Sequence, residues 1–194
     1  RYDEAASAYS LILAETPEDG ITLNNLANIE FARGGFDAAI ERYRKAAAIL
    51  RSQFENHPRT SDGGFWHKKR YTSQMWLDGL YMAAPFYAEY VARYGPPSDF
   101  DDVALQFRAS YARLRDPATG LLRHGWDESR LQRWADPESG RSPAFWTRSL
   151  GWYAMALVDA HEHLPAEHSG RRELAEILAE LLPVPFEAGQ LVMR

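Results

Sequence analysis

The sequence predicts an all-α protein, an array of helical hairpins, and three observations carry that reading. Apolar residues recur at helical spacing, as in Val103, Phe107, Tyr111 and Leu114. Proline and glycine clusters such as Gly95-Pro96-Pro97 separate one periodic stretch from the next. No stretch shows the convincing alternation of a half-buried strand.

The totals exclude several classes of function. With 194 residues, 45% hydrophobic and 25% charged, the chain suits one ordinary globular domain or a little more. A net charge of −5 without a dense Lys/Arg run argues against nucleic acid, because His67-Lys68-Lys69-Arg70 is short and set among aromatics. The absence of cysteine excludes disulfides and thiolate metal sites. The longest apolar run, Leu80 to Ala88, contains Pro85 and is far too short to span a membrane, so no membrane partner is expected. No signal-peptide pattern opens the chain, and a cytoplasmic location is expected.

All six tryptophans lie between residues 66 and 152, which gives the chain two textures. The first covers residues 1–52. Tyr2-Asp3-Glu4-Ala5 with Tyr9 recurs after 34 residues as Phe36-Asp37-Ala38-Ala39 with Tyr43, a period that resembles the tetratricopeptide repeat. A helix is expected to open at Asn25-Leu26-Ala27 and to end at Gly34. Ala5, Ala27, Ala39 and Ala46 would let helices approach, and Tyr9, Phe36 and Tyr43 would fill the groove between them. Plain helical packing is the simpler reading of such residues. Too few units are present for a free-standing solenoid.

The second texture covers residues 53–194. After the loop His57 to Gly64, a helix is expected over Thr72–Tyr94 with Pro85 as a kink, another over Asp99–Leu114, a third over Ala144–Leu164 and a last over Ser169–Leu182. The long connection from Arg115 to Pro143 carries embedded aromatics, Trp126 and Trp134 among them, which argue for order. Within the first helix Asp78 stands alone among Met75, Trp76, Leu77, Leu80, Tyr81 and Met82. A carboxylate in that setting needs a partner or a raised pKa, and a carboxyl kept protonated is what a general acid requires. The plain alternative is an Asp that caps or hydrogen-bonds a neighbouring helix.

Five motifs in order, His57-Pro58-Arg59-Thr60, Gly64-Phe65-Trp66-His67-Lys68, Gln74-Met75-Trp76-Leu77-Asp78-Gly79-Leu80-Tyr81-Met82-Ala83, His124-Gly125-Trp126-Asp127-Glu128-Ser129 and Phe145-Trp146-Thr147-Arg148-Ser149-Leu150-Gly151-Trp152-Tyr153, resemble the unsaturated rhamnogalacturonyl hydrolases of glycoside hydrolase family 105. These are relatives of the unsaturated glucuronyl hydrolases of family 88. The resemblance covers roughly residues 50–182. It implies an (α/α)6 barrel, here incomplete, and a substrate sugar with a C4=C5 double bond left by a pectin lyase.

The same resemblance implies roles. Asp78 matches the family's catalytic acid and base, and His67 and His124 match substrate contacts, although histidines often serve only local hydrogen bonding. Arg148 and Trp152 are four apart on one helix face, a guanidinium for a uronate carboxylate and an indole for the sugar face. Trp146, Gln74, Met75 and Trp126 are placed with the substrate; Asp127 would either touch it or cap its loop. No metal-ligand spacing is visible, since His161 and His163 face different sides of a helix, and no cofactor is needed. The family's second carboxylate has only Asp19 as a candidate.

Two further readings stay open. One is a helical-repeat interaction module with an inactive barrel fragment, binding a peptide near Asn25, Asn28 and Arg33 or pairing with a protein partner or second copy through the repeat-like segment or open barrel edge. The other is an inverting glycosidase using Asp78 and Asp127.

Overall fold

The computed structural model describes residues 1–182, so residues 183–194 of the expected barrel segment lie outside the described residues. The chain divides into two compact units, Arg1–Asn56 and His57–Arg194. No helix among the described residues is long and apolar enough to cross a membrane.

The first unit holds α1 (Tyr2–Glu15), α2 (Gly20–Ala32) and α3 (Phe36–Ser52). Leu23, Leu26, Ala27 and Ile29 of α2 are buried, as are Ala39 and Ala46 of α3. α2 opens at Gly20 rather than at Asn25, because Asp19 caps it: its Oδ1 accepts from the amides of Ile21 (3.1 Å) and Thr22 (3.4 Å). Gly34, with φ of +81°, makes the left-handed turn that lets α3 fold back. Phe36 does not fill the groove; it is 55% exposed and lies edge-on to Phe31.

The second unit holds β1 (Gln74–Trp76), α4 (Leu77–Tyr94), α5 (Asp99–Leu114), β2 (Gly125–Asp127), α6 (Thr147–His163) and α7 (Ser169–Leu181). α4 packs on α5 and α6, and α7 on α5 and α6. Their shared core contains Leu77, Tyr87, Val91, Val103, Phe107, Tyr153 and Leu157, all at most 3% exposed. Each such side chain contributes about 1.5–3 kcal/mol by leaving water. The fully buried Tyr153 spends its hydroxyl on the carbonyl of Phe107 at 2.9 Å, which ties α6 to α5.

The expected helix over Thr72–Tyr94 starts five residues late, at Leu77, because Gln74–Trp76 is extended and pairs antiparallel with Gly125–Asp127. Three residues are too few to show a period-two pattern in the sequence. The ladder runs past the strands. Leu77 N–H reaches His124 O (3.2 Å), His124 N–H reaches Ala144 O (2.9 Å), and Ser142 N–H reaches Gly125 O (2.8 Å). Three remote segments are thus held side by side.

The Arg115–Pro143 connection is ordered by three aspartates. Asp116 accepts from the amides of Ala118 and Thr119 and pairs with Arg123. Asp136 accepts from Glu138 and Ser139, and Asp127 closes the turn between them. A short side-chain acceptor two or three residues ahead of free amides is the chemistry of such turns.

Candidate active site

The three-segment ribbon positions the site. β1 runs directly into α4, so Asp78 emerges in the first turn of that helix. His124 immediately precedes β2, and the third segment leads through Trp146 to Arg148 and Trp152 on α6. His67 joins through its own amide, which donates to Gln74 O at 2.7 Å.

The loop that delivers His67 is anchored on α5. Arg59 meets both oxygens of Asp102, at 2.6 and 2.7 Å, and Gln106 bridges Gly63 O, Asp102 and the Phe65 amide. Burial opposes ionisation of Asp102, but the Arg59 guanidinium and its hydrogen bonds prevail and hold the carboxyl below its ordinary range.

Asp78 is not isolated. Nδ1 of His124 stands 3.5 Å from Asp78 Oδ2, and both side chains are about one-fifth exposed. The His67 ring stacks on Trp76 with centroids 4.5 Å apart, Trp76 lies 5.4 Å from His124, and His124 meets Trp146 edge-on at 4.9 Å. The Arg148 guanidinium lies 3.7 Å from the centre of the Trp146 ring, a cation–π contact. Trp152 joins through Tyr81, one turn along α4 from Asp78, at 4.5 Å. His67, Asp78, His124, Trp146, Arg148 and Trp152 are therefore gathered in one cluster.

The electrostatics of the cluster are distinctive. Burial pushes His67 down to about 4, helped by the charges of Lys68 and Arg70 and opposed by Asp78. Burial also lowers His124, again against Asp78 and with the help of Arg148. In both rings the shift favours the neutral imidazole, which offers one donor and one acceptor. Among the described residues, the buried side-chain atoms without a hydrogen-bond partner are Trp66 Nε1, His67 Nδ1, Asp78 Oδ2, Arg115 Nε and His124 Nδ1. Three of these belong to this cluster. Buried polar atoms are normally paired, and a set left open around one carboxylate suits a polar ligand.

Four other candidates are spent on the scaffold. Asp127 is fully buried, and its carboxylate accepts from Ser129 N (3.1 Å), Ser129 Oγ (2.7 Å) and Gln132 N (3.0 Å). It caps its loop, with both carboxylate oxygens engaged there. Trp126 is buried beneath Arg113, its indole N–H donating to Ser139 O at 2.9 Å. Met75 is buried with its sulfur over Gly64, where a Cβ would come within 2.3 Å of it. Buried Gln74 accepts from Trp76 Nε1 at 3.1 Å and so orients that ring.

In the first unit, the Asp19 carboxylate is committed to its helix cap, where the Thr22 hydroxyl helps hold it below its ordinary range. Of the residues named for a peptide groove, Asn28 accepts from the Tyr43 hydroxyl at 2.5 Å and Arg33 pairs with Asp3. Sequence reasoning did not single out Trp76 or Tyr71, whose rings stack 5.0 Å apart. Their place within one aromatic run beside His67 was the available signal.

Comparison with known proteins gives the family and the fold. The sequence profile of Glycosyl Hydrolase Family 88 matches residues 37–183. Protein Atu3128 of Agrobacterium fabrum and a 24.9 kDa protein in the picA locus of Rhizobium radiobacter are each 50% identical over 101 residues. That stretch is 52% of this chain and 42% of either relative, so the chain spans under half the length of these curated relatives. A glycoside hydrolase from family 105 of C. acetobutylicum ATCC 824 is similar in structure, with a TM-score of 0.73 and 45% identity over 86% of this chain and 47% of that one. A possible member of the same family from Salmonella enterica shares the fold at a TM-score of 0.63 and 22% identity, over 93% of this chain and 53% of the other.

Proposed function

Since the chain belongs to Glycosyl Hydrolase Family 88, we propose that it acts on unsaturated (4,5-dehydro) uronyl oligosaccharides derived from pectin, by hydrating the vinyl ether double bond. The observation that carries this reading is the cluster of one carboxylate, two imidazoles and one guanidinium among indole rings. Helical barrel architecture alone would not carry it, because a fold hosts many activities.

The chemistry follows from those groups. The Asp78 carboxyl gives its proton to C4 of the unsaturated ring, and positive charge develops at C5, shared with the ring oxygen. Water adds to C5 while the same carboxylate takes the proton that the water loses. One group thus serves as acid and then as base, and is restored. The hemiketal at C5 opens, and the neighbouring sugar leaves. Arg148 is exposed and permanently charged, suited to a uronate carboxylate. Trp146 and Trp152 offer ring faces to the sugar, and His67 and His124 can hydrogen-bond its hydroxyls without adding positive charge near C5.

The test is turnover of an unsaturated galacturonyl–rhamnose disaccharide, followed by the loss of the ultraviolet absorbance of its conjugated double bond. Asp78→Asn keeps the shape and removes the transferable proton, so a fall of about 10²–10⁴-fold in kcat is expected. Full activity in that variant would overturn the assignment.

A further inference from the structure

Gly79 is the third residue of α4, next to Asp78, in a helix that gives no conformational reason for a glycine. Its φ is not in the left-handed region that favours glycine. In an ordinary helical position glycine costs about 0.5–1 kcal/mol relative to alanine. The reason is on its open side. A Cβ built at Gly79 would lie 2.9 Å from Nδ1 of His67, 3.6 Å from its Cα and 3.7 Å from its Cγ.

The His67 ring has little freedom to yield. It is stacked within 11° of parallel on Trp76. Tyr71 stacks near both, 5.9 Å from His67 and 5.0 Å from Trp76, and the Trp76 indole N–H is held by Gln74 at 3.1 Å. The His67 backbone is tied to Gln74 O, so the whole residue is fixed between a wall of rings and the first turn of α4. Core side chains caught in this way answer an added methyl by displacement rather than by compression.

We propose that Gly79 is a positioning residue: its missing side chain is the clearance that lets His67 lie against the helix turn bearing Asp78, and so sets the relation between imidazole and carboxyl. The catalytic consequence rests on the hydrolase reading, whereas the clearance itself does not. An added methyl at position 79 moves the His67 ring outward into water and away from Asp78. The carboxyl stays where β1 and α4 hold it.

The experiment is Gly79→Ala in the intact chain, read three ways. Titration of the His67 ring by NMR between pH 3.5 and 8 is expected to show its midpoint climbing from about 4 toward the ordinary histidine value, as the ring leaves its buried place. On the unsaturated disaccharide, kcat is expected to fall at least tenfold. If Gly79→Ala lowers Tm, the double variant Gly79→Ala/His67→Ala is expected to recover it, because the clash has been removed. An unchanged His67 midpoint, or a loss of Tm that persists in the double variant, would overturn the proposal. The titration needs no turnover, so a chain without hydrolase activity would sink the functional reading and leave this one to be decided by the ring.

Discussion

Nδ1 of His124 and Oδ2 of Asp78 face each other at 3.5 Å, and neither atom has a hydrogen-bond partner among the described residues. Polar atoms at this depth are normally satisfied, and leaving one open costs about 1–3 kcal/mol. On the proposed reading, a sugar hydroxyl or the reacting water completes the arrangement. Contacts of this kind in a site without substrate are often long and close up on binding. Four consequences can be measured.

Asp127 and Asp78 should respond in opposite ways. Asp127→Ala deprives two amides and a hydroxyl of a buried acceptor, and a loss of about 2–4 kcal/mol of stability is expected by chemical denaturation. Any fall in activity should track the unfolded fraction. Asp78→Asn should melt close to the parent and lose about 10²–10⁴-fold in kcat.

Arg148 should act on binding. Its guanidinium is exposed over Trp146 and can meet a carboxylate with two parallel hydrogen bonds. Arg148→Lys keeps the charge but loses the planar fork. KM for the unsaturated disaccharide is expected to rise about tenfold, roughly 1.4 kcal/mol, with kcat little changed. The methyl ester of the same substrate should show a much smaller difference between the two proteins.

Acid should weaken the second unit through His67 before the depressed aspartates Asp62, Asp102 and Asp116 protonate. The folded value of His67 lies near 4 and the unfolded one near 6.5, so between these limits the unfolded chain binds the extra proton. Stability therefore falls as pH drops from about 6.5 to about 4. His124, lowered in the same direction, adds to the effect. Denaturation midpoints across this window should drop less steeply in His67→Gln than in the parent. Asp62, Asp102 and Asp116, all held below their ordinary range, come into play only at lower pH.

Tyr153→Phe removes one buried hydroxyl that bonds the Phe107 carbonyl without changing the shape of the core. A loss of about 1 kcal/mol is expected, measurable as a shift in denaturation midpoint with an unchanged slope.

Helices were legible in the sequence and the ribbon was not. Val103, Phe107 and Leu114 announce α5 by spacing alone, and Asp99–Leu114 matches that reading to the residue. Gln74–Trp76 and Gly125–Asp127 are too short for any period, and their pairing lies in backbone hydrogen bonds between distant residues. That pairing brings His124 to Asp78. The convergence was therefore accessible only through family resemblance, which also carried over Met75, Gln74 and Trp126 as ligand contacts and left Asp127 as either a contact or a loop cap. All four are buried, and a motif marks residues that hold a site in place as well as those that touch a ligand. Asp127 illustrates the point, since a turn-capping carboxylate and a substrate-binding one read alike in sequence.

The most direct test of hydration at Asp78 is turnover of the unsaturated disaccharide in D2O, with NMR of the products at early times. Proton delivery to the ring carbon places one deuterium at C4 and leaves no double bond in the released uronate, and Asp78→Asn should form no such product. Cleavage that leaves the double bond intact and C4 free of deuterium would contradict the mechanism.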